Sequence, residues 1–295
     1  MGSRLNPSMS PTENNEVPTV AVVITTYNNP KSLELCLLSF TNQTYRNFEI
    51  YVADDGSGDE TRDLIQKIKR EYDEIPIYHI WHPDLGYRKS KINNTVFRQL
   101  DPSRYPIVIC VDHDVIVHHR FVEDHYKAHL REKFGPLMFM GRRVDLSEAF
   151  TQTVTPENVL RLNQGLGLDL FISGLKGETR NVMRSVRLDP PDWLLKILKR
   201  DRVLDLLGSN FSINTKVLLN VNGYNEDFKS YWGEDGDLFV RVRNSGAKCI
   251  GKIGYAVQWH LYHPRLEETP EHIEVYRALL EDRNYLRCKN GITKA

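Results

Sequence analysis

The sequence predicts an α/β protein with a mostly parallel central sheet and helices on both faces. Three observations carry that prediction. Short β-branched runs without polar breaks, such as Val20 to Ile24 and Ile107 to Val111, have the composition of strands buried on both sides. Amphipathic segments fall between these runs and are long enough to serve as crossover helices. Asp, Asn and Gly collect where the strands end, which is where open α/β sheets place their ligand crevices.

The first strand, Val20 to Ile24, stops at Thr25-Thr26-Tyr27-Asn28-Asn29. Pro30 then opens a helix with Asn29 as its N-cap, because proline at the first helical position forfeits no hydrogen bond. Leu33, Cys36, Leu37 and Phe40 recur at helical spacing and define its buried face. Phe48 to Ala53 is the second strand and runs into Asp54-Asp55-Gly56-Ser57-Gly58-Asp59. The helix after it carries Leu64, Ile65 and Ile68 on one side. Ile77 to Ile80 gives a third strand, followed by a loop from Trp81 to Gly86 and a helix from about Tyr87 to Leu100. The fourth strand, Ile107 to Val111, leaves Asp112-His113-Asp114 at its C-terminal end.

Beyond Phe139 the alternation stops. Residues 141–190 combine Gly, Thr, Asn and Arg with little periodicity, which predicts a long functional loop or a partly mobile lid. Pro190-Pro191-Asp192 opens a basic amphipathic helix containing Trp193, Leu194, Leu195, Ile197 and Leu198. Packing on the core is its simpler reading, with a membrane-surface helix as the alternative. Asn210 to Asn214 reads as a strand, and Glu234 to Ser245 as a helix stopped by Gly246. Pro270 to Asn290 reads as a last amphipathic helix.

With 295 residues the chain can bury a substantial core in one large domain or two ordinary ones. Lys plus Arg and Asp plus Glu balance at 39 each, so no nucleic-acid partner is expected. Cys36, Cys110, Cys249 and Cys288 lack C-x-x-C spacing, as expected of reduced thiols in a cytosolic protein. Residues 1–17 are Ser/Pro/Asn-rich, without the apolar core of a secretory signal, and predict a flexible segment. No stretch approaches the ~20 apolar residues that span a bilayer. The expected location is cytoplasmic, with peripheral contact at the inner face of the membrane left open.

Three sites carry the chemistry. Asp112-His113-Asp114 offers carboxylate oxygens to a hard cation, since Mg²⁺ and Mn²⁺ are commonly held by one or two carboxylates plus phosphate oxygens. Such a D-x-D on its own is common; its place after a buried strand gives it weight. Glu234-Asp235 complements a helix dipole, but the preceding Trp232-Gly233 also suits a loop shaping a pocket against a sugar ring. That makes Asp235 the candidate base. Either His260 or His263 completes a metal shell, and an imidazole tilts the preference from Mg²⁺ toward Mn²⁺. A metal and a base together point to transfer of a group carried on a diphosphate.

The residues also show a family resemblance. Val20 to Asn28, Gln43-Thr44-Tyr45 and Phe48 to Ser57 resemble the opening of family 2 glycosyltransferases with a GT-A fold. Val221 to Phe228 and Tyr231 to Asp235 are similar to the C-terminal part of chondroitin polymerase-like enzymes and β-1,4-galactosyltransferases. The resemblance covers residues 20–120 and 208–264. It implies one domain over 18–295: a nucleotide-sugar half (18–120), an acceptor and catalytic half (121–264) and a C-terminal helix (265–295).

By that resemblance Thr26, Tyr27 and Asn28 line the nucleotide pocket, and Asp55 accepts from the uracil ring. Arg88 approaches the base or the diphosphate. Asp112 lies near the ribose and sugar, and Asp114 binds the metal with His260 or His263. Trp232 and Gly233 shape the sugar pocket, Glu234 binds donor or acceptor sugar, and Asp235 is the base. The implied activity is inverting transfer of a hexose or N-acetylhexosamine, galactose-type slightly favoured, from a UDP-sugar to a hydroxyl of a glycan or lipid-linked acceptor. An inactive glycan-binding or nucleotide-sugar-binding domain is the alternative. A nucleotidyltransferase fits less well, because Thr25 to Asn28 is not a Gly-rich basic phosphate loop.

Overall fold

The computed structural model describes residues 17–165, 167–187, 192–197, 201–202, 208–229, 233–264, 278 and 281–294. The first half runs β1 (Val20–Thr26), α1 (Pro30–Phe40), β2 (Phe48–Asp54), α2 (Asp59–Glu71), β3 (Ile77–Trp81), α3 (Lys89–Phe97), β4 (Ile107–Asp112), β5 (Val115–Val117) and α4 (Phe121–Arg131). There follow β6 (Leu137–Met140), β7 (Arg143–Asp145), α5 (Glu148–Thr153), α6 (Val159–Leu162), α7 (Leu168–Leu175) and α8 (Asp192–Ile197). The rest comprises β8 (Asp201–Arg202), β9 (Phe211–Asn214), α9 (Thr215–Asn220), α10 (Glu234–Asn244), β10 (Lys248–Lys252) and β11 (Gln258–His260).

The main sheet has eight strands in the order β3-β2-β1-β4-β9-β6-β10-β8. Its first four strands are mutually parallel, and β6 and β10 pair in parallel. β9 is antiparallel to both β4 and β6. Strand periodicity explains the two-sided core. Val20, Val22 and Ile24 face one layer with Leu33, Leu37, Ile65 and Phe121 from α1, α2 and α4. Ala21 and Val23 face the other with Ile92, Val96, Leu218 and Leu238 from α3, α9 and α10. The helix starts follow local chemistry: Asn29 Oδ1 accepts the Ser32 N–H at 3.1 Å, with Pro30 just inside α1. All four cysteines are buried free thiols.

The first four strands deliver their C-terminal ends to one edge. Thr26 pairs with Asp54 across β1 and β2, and Thr25 pairs with Asp112 across β1 and β4. A second sheet, β5-β11-β7, sits beyond that edge. There His260 pairs with Val115 on one side and Asp145 on the other. A histidine late in the chain is thereby carried next to Asp114.

Two expectations are corrected. Residues 141–187 are not a long loop: within them lie β7, α5, α6 and α7 and a 3₁₀ turn over Val182–Ser185. The helices are each only about one or two turns long and β7 has three residues, so no period accumulates for a sequence reading to detect. The helix expected from Pro270 to Asn290 does not extend over residues 282–290. There the backbone is used elsewhere: Glu226 N–H donates to the Asn290 carbonyl at 2.7 Å, and Ile292 N–H to the Asn222 carbonyl at 3.0 Å. Residues 265–277 and 279–280 lie outside the described residues.

Candidate active site

Three side chains converge just past β4. Asp114 Oδ2 lies 3.3 Å from His260 Nε2 and 3.1 Å from His263 Nε2. One ligand atom from each of the three falls within 4.8 Å of the others. Burial works against the charge of Asp114, but the hydrogen bonds from His260 and His263 outweigh it and hold the carboxyl well below the usual range. The same contact with Asp114 raises the pKa of His263. Asp114 Oδ1 is buried without a partner. One carboxylate with an unspent oxygen and two imidazoles fits a divalent cation that accepts both oxygen and nitrogen.

A second cluster stands beside it, centred on a lysine. Lys89 opens α3 and is buried; its Nζ lies 3.2 Å from Asp235 Oδ2, 3.4 Å from Glu234 Oε1 and 3.7 Å from Asp112 Oδ1. Burial opposes the ammonium charge, and Asp112, Asp235 and Glu234 outweigh it, so the lysine pKa stands well above its ordinary value. Burial pushes Asp112 and Glu234 up, with Lys89 partly offsetting the effect in each. Tyr224 donates its hydroxyl to Asp235 Oδ1 at 2.9 Å, and Tyr87 donates to Glu234 Oε1 at 2.7 Å.

Two glycines make room for these carboxylates. A Cβ on Gly208 would sit 1.8 Å from Asp235 Oδ2, so the chain passes the carboxylate at a distance only glycine permits. Gly233 has φ +103° and lies against the Phe228 ring, where an added Cβ would come within 2.6 Å. This bend turns Glu234 and Asp235 inward as the first residues of α10. Trp232, expected beside Gly233, lies outside the described residues.

The ends of β1 and β2 form the third part. Thr26 is buried, and its Oγ1 has no partner. Tyr27 is exposed and donates its hydroxyl to Asp84 Oδ2 at 2.8 Å. Asn28, at φ 42°, donates its backbone N–H to Ser57 Oγ at 2.8 Å and accepts from the Gly58 N–H at 3.0 Å. Asp55 Oδ1 lies 2.6 Å from His82 Nε2, while its Oδ2 accepts the Arg88 N–H at 2.7 Å. Burial raises the Asp55 pKa against those opposing contacts. Each of its oxygens keeps a further lone pair for a ring N–H. The Arg88 guanidinium donates to the Pro83 carbonyl.

Every expected site residue within the described part therefore lies at or beside one sheet edge. The sequence reading missed Lys89, Tyr224, Tyr87 and His82. For Lys89 a signal was present: a cation in the first turn of a helix opposes the dipole, and α3 has no acidic residue there to compensate.

Comparison with known proteins agrees with this geometry. Glycosyl transferase family 2 matches residues 21–168, and a second match, N-terminal domain of galactosyltransferase, covers residues 198–264. The chain is 22% identical to chondroitin synthase of Escherichia coli over 263 residues, 85% of this chain and 36% of that protein. It is 32% identical to validoxylamine A glucosyltransferase of Streptomyces hygroscopicus subsp. jinggangensis over 121 residues, 40% of this chain and 27% of that protein. The chain thus spans between about a quarter and just over a third of the length of these relatives. Among solved structures, S. aureus TarS 1-349 in complex with UDP aligns with a TM-score of 0.56 at 17% identity, over 90% of this chain and 65% of that one. The mannosyltransferase PcManGT from Pyrobaculum calidifontis, in complex with GDP-Man and Mn²⁺, aligns with a TM-score of 0.54 at 16% identity, over 90% of this chain and 62% of that one. A parallel sheet ending in Asp55 and Asp112, an acidic helix start at Glu234-Asp235 and a family match over 21–168 place the chain in glycosyl transferase family 2, with the GT-A fold.

Proposed function

We propose that this chain is a metal-dependent inverting glycosyltransferase that moves a hexose or N-acetylhexosamine from a UDP-sugar to a hydroxyl of a glycan or lipid-linked acceptor. The observation that carries the reading is the placing of Asp114, His260 and His263 beside Asp112, Glu234 and Asp235 at one sheet edge. A UDP donor is supported by the solved complexes of the TarS fold neighbour with UDP and with UDP-GlcNAc.

Asp235 takes the proton of the acceptor hydroxyl as that oxygen attacks the anomeric carbon from the face opposite the diphosphate. The C–O bond to UDP breaks with its electron pair on the departing phosphate, and the anomeric centre inverts. Asp114, His260 and His263 would hold Mn²⁺ or Mg²⁺, which when bound offsets negative charge on the diphosphate. Thr26, Tyr27, Asn28, Asp55 and Arg88 hold the nucleotide, while Asp112, Glu234 and Gly233 lie against the sugars. A cavity of about 640 Å³ lies nearby, lined by apolar side chains such as Phe150, Val154, Leu162 and Leu170 and by the charged Arg161, Lys176 and Glu178, and it offers room for part of an acceptor. Its helix α5 touches the metal segment, with Thr151 Oγ1 accepting the Tyr262 N–H at 2.9 Å.

The testing experiment is UDP release from UDP-glucose, UDP-galactose, UDP-GlcNAc and UDP-GalNAc, with Mn²⁺, Mg²⁺ or EDTA. Metal-dependent release from one donor is expected. No release from any donor, together with no UDP binding by calorimetry, would sink the proposal.

A further inference from the structure

A lysine among three carboxylates is the feature that the reaction outlined above leaves without a task. We propose that Lys89 is a positioning residue for transfer, its ammonium wedged between Asp112 on the donor side and Glu234 and Asp235 on the acceptor side so that Asp235 stays charged and correctly turned. The inference rests on Asp235 being the base.

Geometry carries it. Lys89 meets Asp235 through Oδ2, the oxygen that also faces Gly208, while Tyr224 fixes Oδ1. The carboxylate is thus enclosed on three sides by groups that set its direction. Tyr224 is in turn tied to α3, where Asn94 Oδ1 accepts its backbone N–H at 2.9 Å and Asn94 Nδ2 donates to its carbonyl at 2.8 Å. One helix therefore supplies both restraints on the base, Lys89 directly and Asn94 through Tyr224. The helix itself gains nothing from a cation in its first turn.

Charge carries it further. Among the described residues, the groups facing Asp235 are Tyr87 before α3 and Lys89 at its start, Asp112 and Cys110 of β4, Tyr224 and the neighbouring Glu234. Lys89 is the one cation in that set. Without it, Asp112, Glu234 and Asp235 would face one another with no cation between them, and like charges so placed oppose the ionised, fixed carboxylate that a base requires.

The test reads Asp235 itself. Protein labelled with γ-¹³C aspartate is titrated by NMR, and the Asp235 signal is assigned by its loss in Asp235→Asn. In Lys89→Met the midpoint should rise, because an adjacent opposite charge favours the ionised carboxylate and is lost. Lys89→Arg should restore it toward the wild-type midpoint. Lys89→Gln keeps a hydrogen-bond donor of similar length, and gives the same reading if the Met variant fails to fold. UDP release from the four-donor panel should show the acidic limb of kcat moving up with the midpoint, so that Lys89→Met regains activity at alkaline pH. A purely structural role would lower activity at every pH. An unchanged midpoint in both neutral variants overturns the inference while leaving Asp235 as base. Transfer that survives in Asp235→Asn overturns the base assignment, and this inference with it.

Discussion

With Oδ1 held by Tyr224 and Oδ2 by Lys89, Asp235 points in a defined direction, and its removal should act on chemistry more than on binding. Asp235→Asn keeps the shape and a hydrogen-bonding oxygen but cannot take a proton. Transfer should fall by about 10²–10⁴-fold, the range expected for a general base, while UDP affinity by calorimetry stays near wild type. Unaltered transfer would refute the assignment. Sequence singled out Asp235 at a helix start and Asp114 after a strand end, and His260 and His263 by their spacing of three, and the structure brings Asp114 and the two histidines together. Sequence could not assign Lys89 its role, because that depends on partners as far as 146 positions away that only the fold brings near. Tyr224 was hidden differently, inside a stretch quoted for its family likeness with no reason to single out one hydroxyl.

Among elements, β1 to β4 and α1 to α3 were readable nearly end to end, since each is long enough for a period to show. The strands β5, β7 and β11 were not, because three residues of alternation are indistinguishable from loop. They nonetheless place His260 beside Asp114. Residues 282–290 depart from the expected helix because an amphipathic pattern also suits a segment lying over a surface. That segment packs on the loop after α9, where buried Asn222 donates to the Cys288 and Thr293 carbonyls at 2.9 Å and accepts the Thr293 N–H at 2.8 Å. Asn222→Ala leaves these groups unpaired and places a Cβ-only residue at φ 73°. We expect a loss of about 2–4 kcal/mol in urea unfolding, with reduced activity because Tyr224 follows two residues later.

For the whole molecule, acid sensitivity follows from its buried imidazoles. Burial pushes His118, His125 and His129 each down to about 3, from an ordinary value of 6.5. His125 and His129 both contact Ser212 Oγ, at 2.9 and 3.0 Å, inside the core. Depressed folded values mean that the unfolded chain binds more protons between about 3 and 6.5. The stability these groups contribute is fully present above about pH 6.5 and declines as the pH falls through that window. Urea midpoints should therefore drop from pH 7 to pH 5, and a His125→Gln/His129→Gln protein should show a flatter profile. An equally steep fall in that variant would mean other groups dominate.

The small sheet that brings β11 against β5 has a further meaning for how the molecule comes apart. Leu261 N–H donates to the Asp114 carbonyl at 2.9 Å, and on either side of it stand His260 and His263, whose ring nitrogens reach the Asp114 side chain. A divalent ion at these groups would rivet residue 114 to a segment almost 150 positions later, so that opening that seam requires giving up the ion. Manganese would then act as a lock against proteases as well as an aid to catalysis. Trypsin should cut near Arg265 more slowly with Mn²⁺ present than with EDTA, and the protection should vanish in Asp114→Ala.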